Sequence, residues 1–365
     1  MTLHNSRNAQ YFESKLNDYI NTLARKRRNQ SPIQVHVSAP RVGIDYNSPY
    51  SSPTQPFHIA SIGKVFTAVL VLRLIERGVI RMGQSITDIL DAETLKDLFV
   101  YRGVDYAKQV TVGHLLSHTS GVADYFTASI QPGYTFQQHV VHHPEKLWTP
   151  SSLLDITRQF QHAVAKPSDR FHYSDTGYIL LGLIVQHVTE HSFNSQLHDE
   201  IFEPLGMDQS YLAFYSQPKE QPTPSILPMY LNDVDVSRFQ SVSCDWAGGG
   251  IVSTPHDLMR FQRALFNEKV LSYATLRQMT NCKHKFRGGL WYGMGMMETR
   301  FEEFFFLLRG LPRLNGHIGI LSTHMFSLPQ QDLHIIINLG DSGQMTNSFK
   351  LLIEIMNTLA SLPGR

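Results

Sequence analysis

The sequence predicts an α+β fold: an antiparallel sheet flanked by helices and built from both chain ends, with an all-helical region inserted between them. Three observations carry that expectation. The N-terminal segment reads as a helix and then a strand. The middle of the chain shows helical spacing with hardly any strand alternation. Alternating apolar segments return only towards the C-terminus.

Residues 9 to 27 place Tyr11, Leu16, Tyr19, Ile20 and Leu23 at helical spacing, and Ile33 to Ser38 alternates as a strand does. The basic run Arg25 to Arg28 ends that helix, where positive charge suits the carbonyl end of the dipole. A loop rich in Ser, Pro and Tyr (46 to 56) leads into Phe57-His58-Ile59-Ala60. A helix from Ser61 to Arg77 follows, stopped by Gly78 and apolar nearly all round, so it should be buried. Further on, Leu153 to Phe160 and Thr176 to Glu190 are the clearest helices. A Pro-rich stretch, Gln217 to Pro228, precedes a turn at Gly248-Gly249-Gly250 and a helix capped by Ser253 or Thr254, with Pro255 at its start. Gly288 to Thr299, Phe301 to Leu308, Gly316 to Leu328 and Leu333 to Leu339 read as successive antiparallel strands, and Ser348 to Leu359 as a closing amphipathic helix. The expected organisation is a sheet domain from 1–84 and 241–365, a mainly helical insert from 85–240, and a cleft between them. Segments 122 to 150 and 211 to 240 are expected to wall the cleft.

The chain has 365 residues, of which 42% are apolar and 17% charged, enough to bury a large core. Lys and Arg total 32 against 31 Asp and Glu, so a net charge of +1 supplies no general field for nucleic acid or an anionic membrane. Cys244 and Cys282 form neither a disulfide framework nor a metal-binding spacing, and are expected to be free thiols. Met1 to Ile20 lacks an apolar signal-peptide core, and the run Val65 to Leu72 is too short to span a bilayer. The expectation is a cytoplasmic protein without a membrane span, or a secreted one if a leader has been removed.

Ser61-Ile62-Gly63-Lys64 puts a hydroxyl at the start of a buried helix and an ammonium one turn later on the same face. A serine hydroxyl needs an adjacent base at neutral pH, and burial is expected to drive a lysine below its ordinary value. The alternative is that Ser61 only caps the helix while Lys64 snorkels to its edge. The same spacing recurs in Ser216-Gln217-Pro218-Lys219, but a Pro-rich loop cannot hold the pair in register.

The segments Thr111-Val112-Gly113-His114-Leu115-Leu116-Ser117-His118-Thr119-Ser120-Gly121, Ile201-Phe202-Glu203-Pro204-Leu205-Gly206-Met207 and Gly248-Gly249-Gly250-Ile251-Val252-Ser253-Thr254 occur in that order. With Ser61 and Lys64 they closely resemble the serine β-lactamase-like, penicillin-binding family, in its class C β-lactamase, DD-peptidase and esterase branch. The resemblance covers roughly residues 10 to 360 and implies that family's fold. It implies that Tyr173, in Tyr173-Ser174-Asp175, is the phenol beside Ser61 that shuttles its proton. Asp175 stands where the family usually has asparagine, so amide-donating recognition of a β-lactam is in doubt; otherwise Asp175 only caps the following helix. Tyr230-Leu231-Asn232 fits the same spacing without the family's context. His317-Ile318-Gly319 stands where Lys-Thr-Gly is usual, which implies Asp175, His317 and Gly319 as substrate-binding residues. It also implies the backbone N–H groups of Ser61 and Ile320 as the oxyanion hole. Losing the lysine disfavours carboxylate-bearing substrates such as penicillins.

Of the 18 histidines, His114 with His118, and His139 with His142 and His143, have spacings open to metal, but no Glu follows as in His-Glu-x-x-His. No metal or cofactor is expected. The expected function is a serine hydrolase acting on a small-molecule ester, amide or peptide through an acyl-Ser61, carboxylesterase-like above all. The alternatives are a DD-peptidase or D-amino-acid peptidase, a β-lactamase, or a non-catalytic binding or scaffold protein on the same fold. Oligomeric state is left open.

Overall fold

The computed structural model describes residues 3–27, 31–220 and 225–362. Arg28 of the basic run and residues 221–224 of the Pro-rich stretch lie outside them.

The large sheet is made by the two ends of the chain. Its strands are β1 (Gln34–Ala39), β2 (Ile44–Asn47), β3 (His284–Arg287), β4 (Leu290–Tyr292), β5 (Met297–Thr299), β6 (Asn315–Gly319), β7 (Thr323–Leu328) and β8 (Leu333–Asn338), in the order β3-β4-β5-β6-β7-β8-β1-β2. All neighbours are antiparallel, and the closing pair sets Gln34 opposite Asn338 and His36 opposite Ile336. Because side chains alternate across a strand, Ile335 and Ile337 enter one core and Ile336 the other. The outer core is covered by α1 (Leu3–Lys26) and α5 (Met345–Ala360), through Phe12, Leu16 and Ile20 on one and Leu351, Leu352 and Ile355 on the other.

On the opposite face lies α2 (Gly63–Glu76), every residue of which from Gly63 to Leu72 is buried. It packs against α3 (Asp175–Thr189) and the helical turn Trp246–Gly249. The approach to that turn is close: a Cβ at Gly63 would fall 2.9 Å from Gly249 Cα. Helix α4 (Pro255–Phe266) begins at Thr254, whose side chain accepts from Asp257 N–H. A small second sheet, Phe57–His58 with Ile251–Ser253 and Tyr211–Leu212, carries the chain into α2.

Several expectations are corrected. Gly288 to Thr299 is the hairpin β4–β5, and Gly316 to Leu328 holds the hairpin β6–β7, turned at Ser322 with φ +57°. Phe301 to Leu308 is no strand. It forms a helical turn (Phe301–Phe304) and a 3-10 turn (Phe306–Leu308): Phe301 enters the outer core, Phe304 and Leu308 pack at its edge, and Phe305 and Phe306 stay exposed, which is helical rather than alternating burial. Strand β2 lies partly in what reads as loop, since only Ile44 and Tyr46 carry its alternation. The segment 85–240, expected to be mainly helical, also holds short hairpins, Val100–Tyr101 with Val104–Asp105 and Ser129–Gln131 with Tyr134–Thr135. Cys244 and Cys282 are buried free thiols. Among the described residues no helix is long and apolar enough to cross a membrane.

Candidate active site

Ser61 sits in a 3-10 turn (Ala60–Ile62) that feeds directly into α2. Ala60, just before it, holds φ +50°, an uncommon conformation for a residue with a side chain. The surroundings keep it there: Ala60 N–H donates to His58 Nδ1 at 3.2 Å, and Gly249 and Gly319 both press on Ala60. The result lifts the Ser61 hydroxyl into a cavity of ≈ 500 Å³ on the helical side of the sheet.

One turn on, Lys64 is fully buried with Nζ 3.3 Å from Ser61 Oγ. Its ammonium also donates to the Gly248 carbonyl at 2.6 Å and forms a tight ion pair with Asp175. The helical spacing that suggested a Ser–Lys pair is therefore realised in space, and Lys64 does not snorkel. The expected direction of its pKa is corrected. Burial alone would push Lys64 down, but the charge of Asp175 and the charge and hydrogen bonding of Tyr173 outweigh it and hold the ammonium above its ordinary range.

Tyr173 projects from the loop before α3, with Lys64 Nζ 5.0 Å from its ring centroid. Burial pushes its phenol up to about 12, opposed by the Lys64 charge and by hydrogen bonds to Ser61 and Lys64. Ser174, not Asp175, caps α3: its hydroxyl accepts from Gly177 N–H at 3.3 Å. Asp175 is thereby released to turn its carboxylate to Lys64 and to the cavity, so a role as mere helix cap is corrected.

Strand β6 forms the facing wall through Ile318, Gly319 and then Ile320. A Cβ on Gly319 would meet Ala60 Cβ at 2.7 Å, so the close approach of strand and nucleophile requires glycine. His317, expected to contact substrate, lies behind the strand surface. Its ring is fully buried outside the cavity lining, with Nδ1 2.6 Å from the Ile318 carbonyl oxygen and Tyr292 5.7 Å away between ring centroids. Burial and the Lys64 charge bring its pKa down to about 3, so it is neutral at any ordinary pH.

Two acids that sequence reasoning missed line the same cavity, Asp124 and Asp245. Asp124 Oδ1 accepts from Asp175 N–H at 2.9 Å, which fixes the start of α3. Burial, and then repulsion from Asp175, raises both carboxyls to about 7. Their only sequence signal is position, one just after the Thr119-Ser120-Gly121 turn and the other just before Trp246 and the glycines. The segment 122 to 150 does wall the cavity, through Phe126, Thr127 and Gln137. The segment 211 to 240 instead contributes Met229, Leu231 and Val236 to a side pocket of ≈ 30 Å³ behind Asp245 and Ile320.

The histidines at metal-like spacings have other partners. His114 completes a capping box with Thr111, and His118 Nδ1 accepts from Ser174 N–H at 3.1 Å. Among the described residues no group of three or more His, Cys, Asp or Glu is placed to hold a metal ion.

Known proteins share the sequence pattern and the fold of this chain. The family model Beta-lactamase matches residues 46–350. Penicillin-binding protein 4 of Amycolatopsis lactamdurans is 32% identical over 154 residues, 42% of this chain and 35% of that protein. The matches span less than half the length of the curated relatives. Among solved structures, the D-amino acid amidase of Ochrobactrum anthropi SV3 superposes with a TM-score of 0.75 at 21% identity, covering 96% of this chain and 98% of that one. The hydrolase EstCE1, described as having promiscuous acyltransferase activity, gives 0.71 at 16% identity, covering 96% and 99%. At those identities the likeness is one of fold.

Proposed function

The chain belongs to the Beta-lactamase family, and from that premise we propose that it is a serine hydrolase that cleaves an ester or amide through an acyl-Ser61, carboxylesterase-like rather than a β-lactamase. The observation that carries the reading is the cavity-facing Ser61 hydroxyl 3.3 Å from the buried Lys64 ammonium. Ser61 Oγ attacks the carbonyl carbon and passes its proton to the Tyr173–Lys64 pair, and that pair returns a proton to the leaving group. Water then attacks the acyl ester by the same route in reverse. The carbonyl oxygen gathers negative charge at the edge formed by Ser61 and Ile320, where two backbone N–H groups supply the oxyanion hole.

Two features favour an ester or amide over a β-lactam. Asp175 replaces an amide donor by an acceptor committed to Lys64, and His317 brings no positive charge to the strand. The D-amino acid amidase shares this fold and is an amidase by its description, which makes an amidase the second reading. The test is hydrolysis of a short-chain nitrophenyl ester beside a chromogenic cephalosporin, by the wild type and by Ser61→Ala. Ester turnover that vanishes in Ser61→Ala, with the cephalosporin barely touched, supports the reading. Comparable cephalosporin turnover replaces it with a β-lactamase, and no turnover of either replaces it with a scaffold or a narrow peptidase.

A further inference from the structure

Large apolar side chains left exposed on a soluble protein are ordinarily scattered singly, as Tyr50, Val79 and Leu147 are here. The segment after β5 departs from that pattern. Phe305, Phe306 and Leu307 follow one another and expose 51%, 65% and 66% of their surface. Both flanks of the three are anchored, so the exposure is built in. Phe301 is fully buried, Phe304 packs against Phe349 of α5 with ring centroids 5.2 Å apart, and Leu308 packs on the outer core. Glu303 fastens the same turn to the sheet, accepting from Trp291 Nε1–H at 2.8 Å and pairing with Lys285 at 2.9 Å. The Phe305 and Phe306 rings lie against each other, 5.1 Å between centroids, which makes the apolar tip continuous.

The surroundings of the tip are basic. From Lys283 to Arg313 the chain carries six Lys and Arg against three Glu, a local charge of +3 in a chain whose total is +1. All three acids are paired: Glu298 with Arg300 and Arg313, Glu302 with Arg313, and Glu303 with Lys285. Arg309, exposed two residues beyond Leu307, and Arg287 have no carboxylate partner among the described residues. Apolar side chains at a tip with cations around them match the two layers of a lipid surface, acyl chains within and anionic headgroups above. A second copy of this chain fits less well. The three side chains offer roughly 300–400 Å², against about 800 Å² per partner in a stable interface. A two-fold contact would also set the same basic segment against itself.

The tip stands beside the cavity that holds Ser61. Phe286, Arg287 and Met345 line that cavity, and Phe349, one turn along α5 from Met345, touches both the Phe304 ring and the Arg287 guanidinium. We propose that Phe305, Phe306 and Leu307 insert into the surface of an anionic lipid bilayer, with Arg309 and Arg287 at the headgroups, and so dock this side of the Ser61 cavity on the membrane. The contact is peripheral, made by three side chains and not by a spanning helix. It requires no reaction at Ser61, so its test reads binding and stands apart from the hydrolase reading.

The experiment is co-sedimentation of the full chain with vesicles of phosphatidylcholine alone and of phosphatidylcholine with phosphatidylglycerol at two to one. The wild type should bind the anionic vesicles, and the neutral ones about tenfold or more weakly. Replacing all three tip residues, Phe305→Ser with Phe306→Ser and Leu307→Ser, should weaken binding to anionic vesicles by about 10²-fold, since each side chain otherwise leaves water. Arg309→Glu should lose about tenfold on the anionic vesicles and little on the neutral ones. Phe306→Trp reports insertion directly: its added emission, read as the difference from wild type, should shift to the blue with anionic vesicles. A wild type that stays in the supernatant with both vesicles overturns the proposal, as does a triple variant that sediments like the wild type. Equal binding to the two vesicles overturns the anionic assignment. A wild-type dimer that the triple variant dissolves, without vesicle binding, gives the tip to a second copy instead. All three tip side chains are exposed, so the triple variant should unfold in urea at the wild-type midpoint; if it does not fold, Arg309→Glu and Phe306→Trp still decide.

Discussion

Lys64 and Asp175 stand 111 residues apart in the sequence and meet as a buried ion pair one turn from the Ser61 hydroxyl. The pair sets the protonation of the site. Asp175 raises Lys64, and it also raises the Tyr173 phenol that hydrogen-bonds to Ser61. Whichever of the two takes the proton of Ser61 must first have lost its own, so kcat/KM should climb with pH on its acid side. Removing the negative charge lowers both groups. Asp175→Asn should therefore move that acid limb to lower pH, and a pH–rate profile of ester hydrolysis for the two proteins checks the sign. A limb that moves to higher pH, or not at all, would show that Asp175 does not govern the base.

The same pair should govern stability. Stripping the partner from a buried ammonium typically costs about 3 to 5 kcal/mol, because the charge left behind is unsolvated. Asp175→Ala should lose about that much in urea unfolding at neutral pH, and Asp175→Asn, which keeps an acceptor beside Nζ, clearly less. Equal losses would mean that packing, not charge, is what the side chain provides.

Tyr173→Phe removes only the phenol oxygen and leaves the ring that packs near His118 and Phe286. The fold should survive. If the phenol carries the proton, kcat should drop by about 10²- to 10⁴-fold with little change in KM, and acylation seen as a burst of nitrophenol should slow in step. A normal burst followed by slow turnover would confine Tyr173 to deacylation.

The parts of this site that the sequence revealed are the local ones. Ser61 and Lys64 are three residues apart on one helix, so their meeting follows from helical geometry. Tyr173 and Gly319 were placed only because their segments resemble a known family. Asp124 and Asp245 were invisible, since packing across more than a hundred residues brings them to one wall and neither belongs to a spaced motif. The sign of the Lys64 shift is hidden from the sequence for the same reason: burial can be read from an apolar helix, but the partner that reverses its effect comes from α3. In the fold, long periodic helices such as α3 were legible. Phe301 to Leu308 was not, because a run of aromatics near the surface looks like a strand until it is known which face has a core to enter.

The last prediction concerns His317, where restoring the lysine usual in the family looks from the sequence like a route to β-lactam recognition. The structure argues otherwise. The His317 ring is fully buried and feels the Lys64 charge, which contributes to holding its pKa at about 3. A lysine there would bring a second ammonium into a region already occupied by one, whose partner Asp175 is taken. His317→Lys should lower the midpoint of urea unfolding and gain no turnover of a chromogenic cephalosporin. The neutral replacement His317→Gln should unfold nearer the wild type, because it adds no charge to a place where desolvation is costly. A stable His317→Lys protein that hydrolyses the cephalosporin would mean that the lysine side chain escapes to the cavity, and that β6 presents this position to substrate after all.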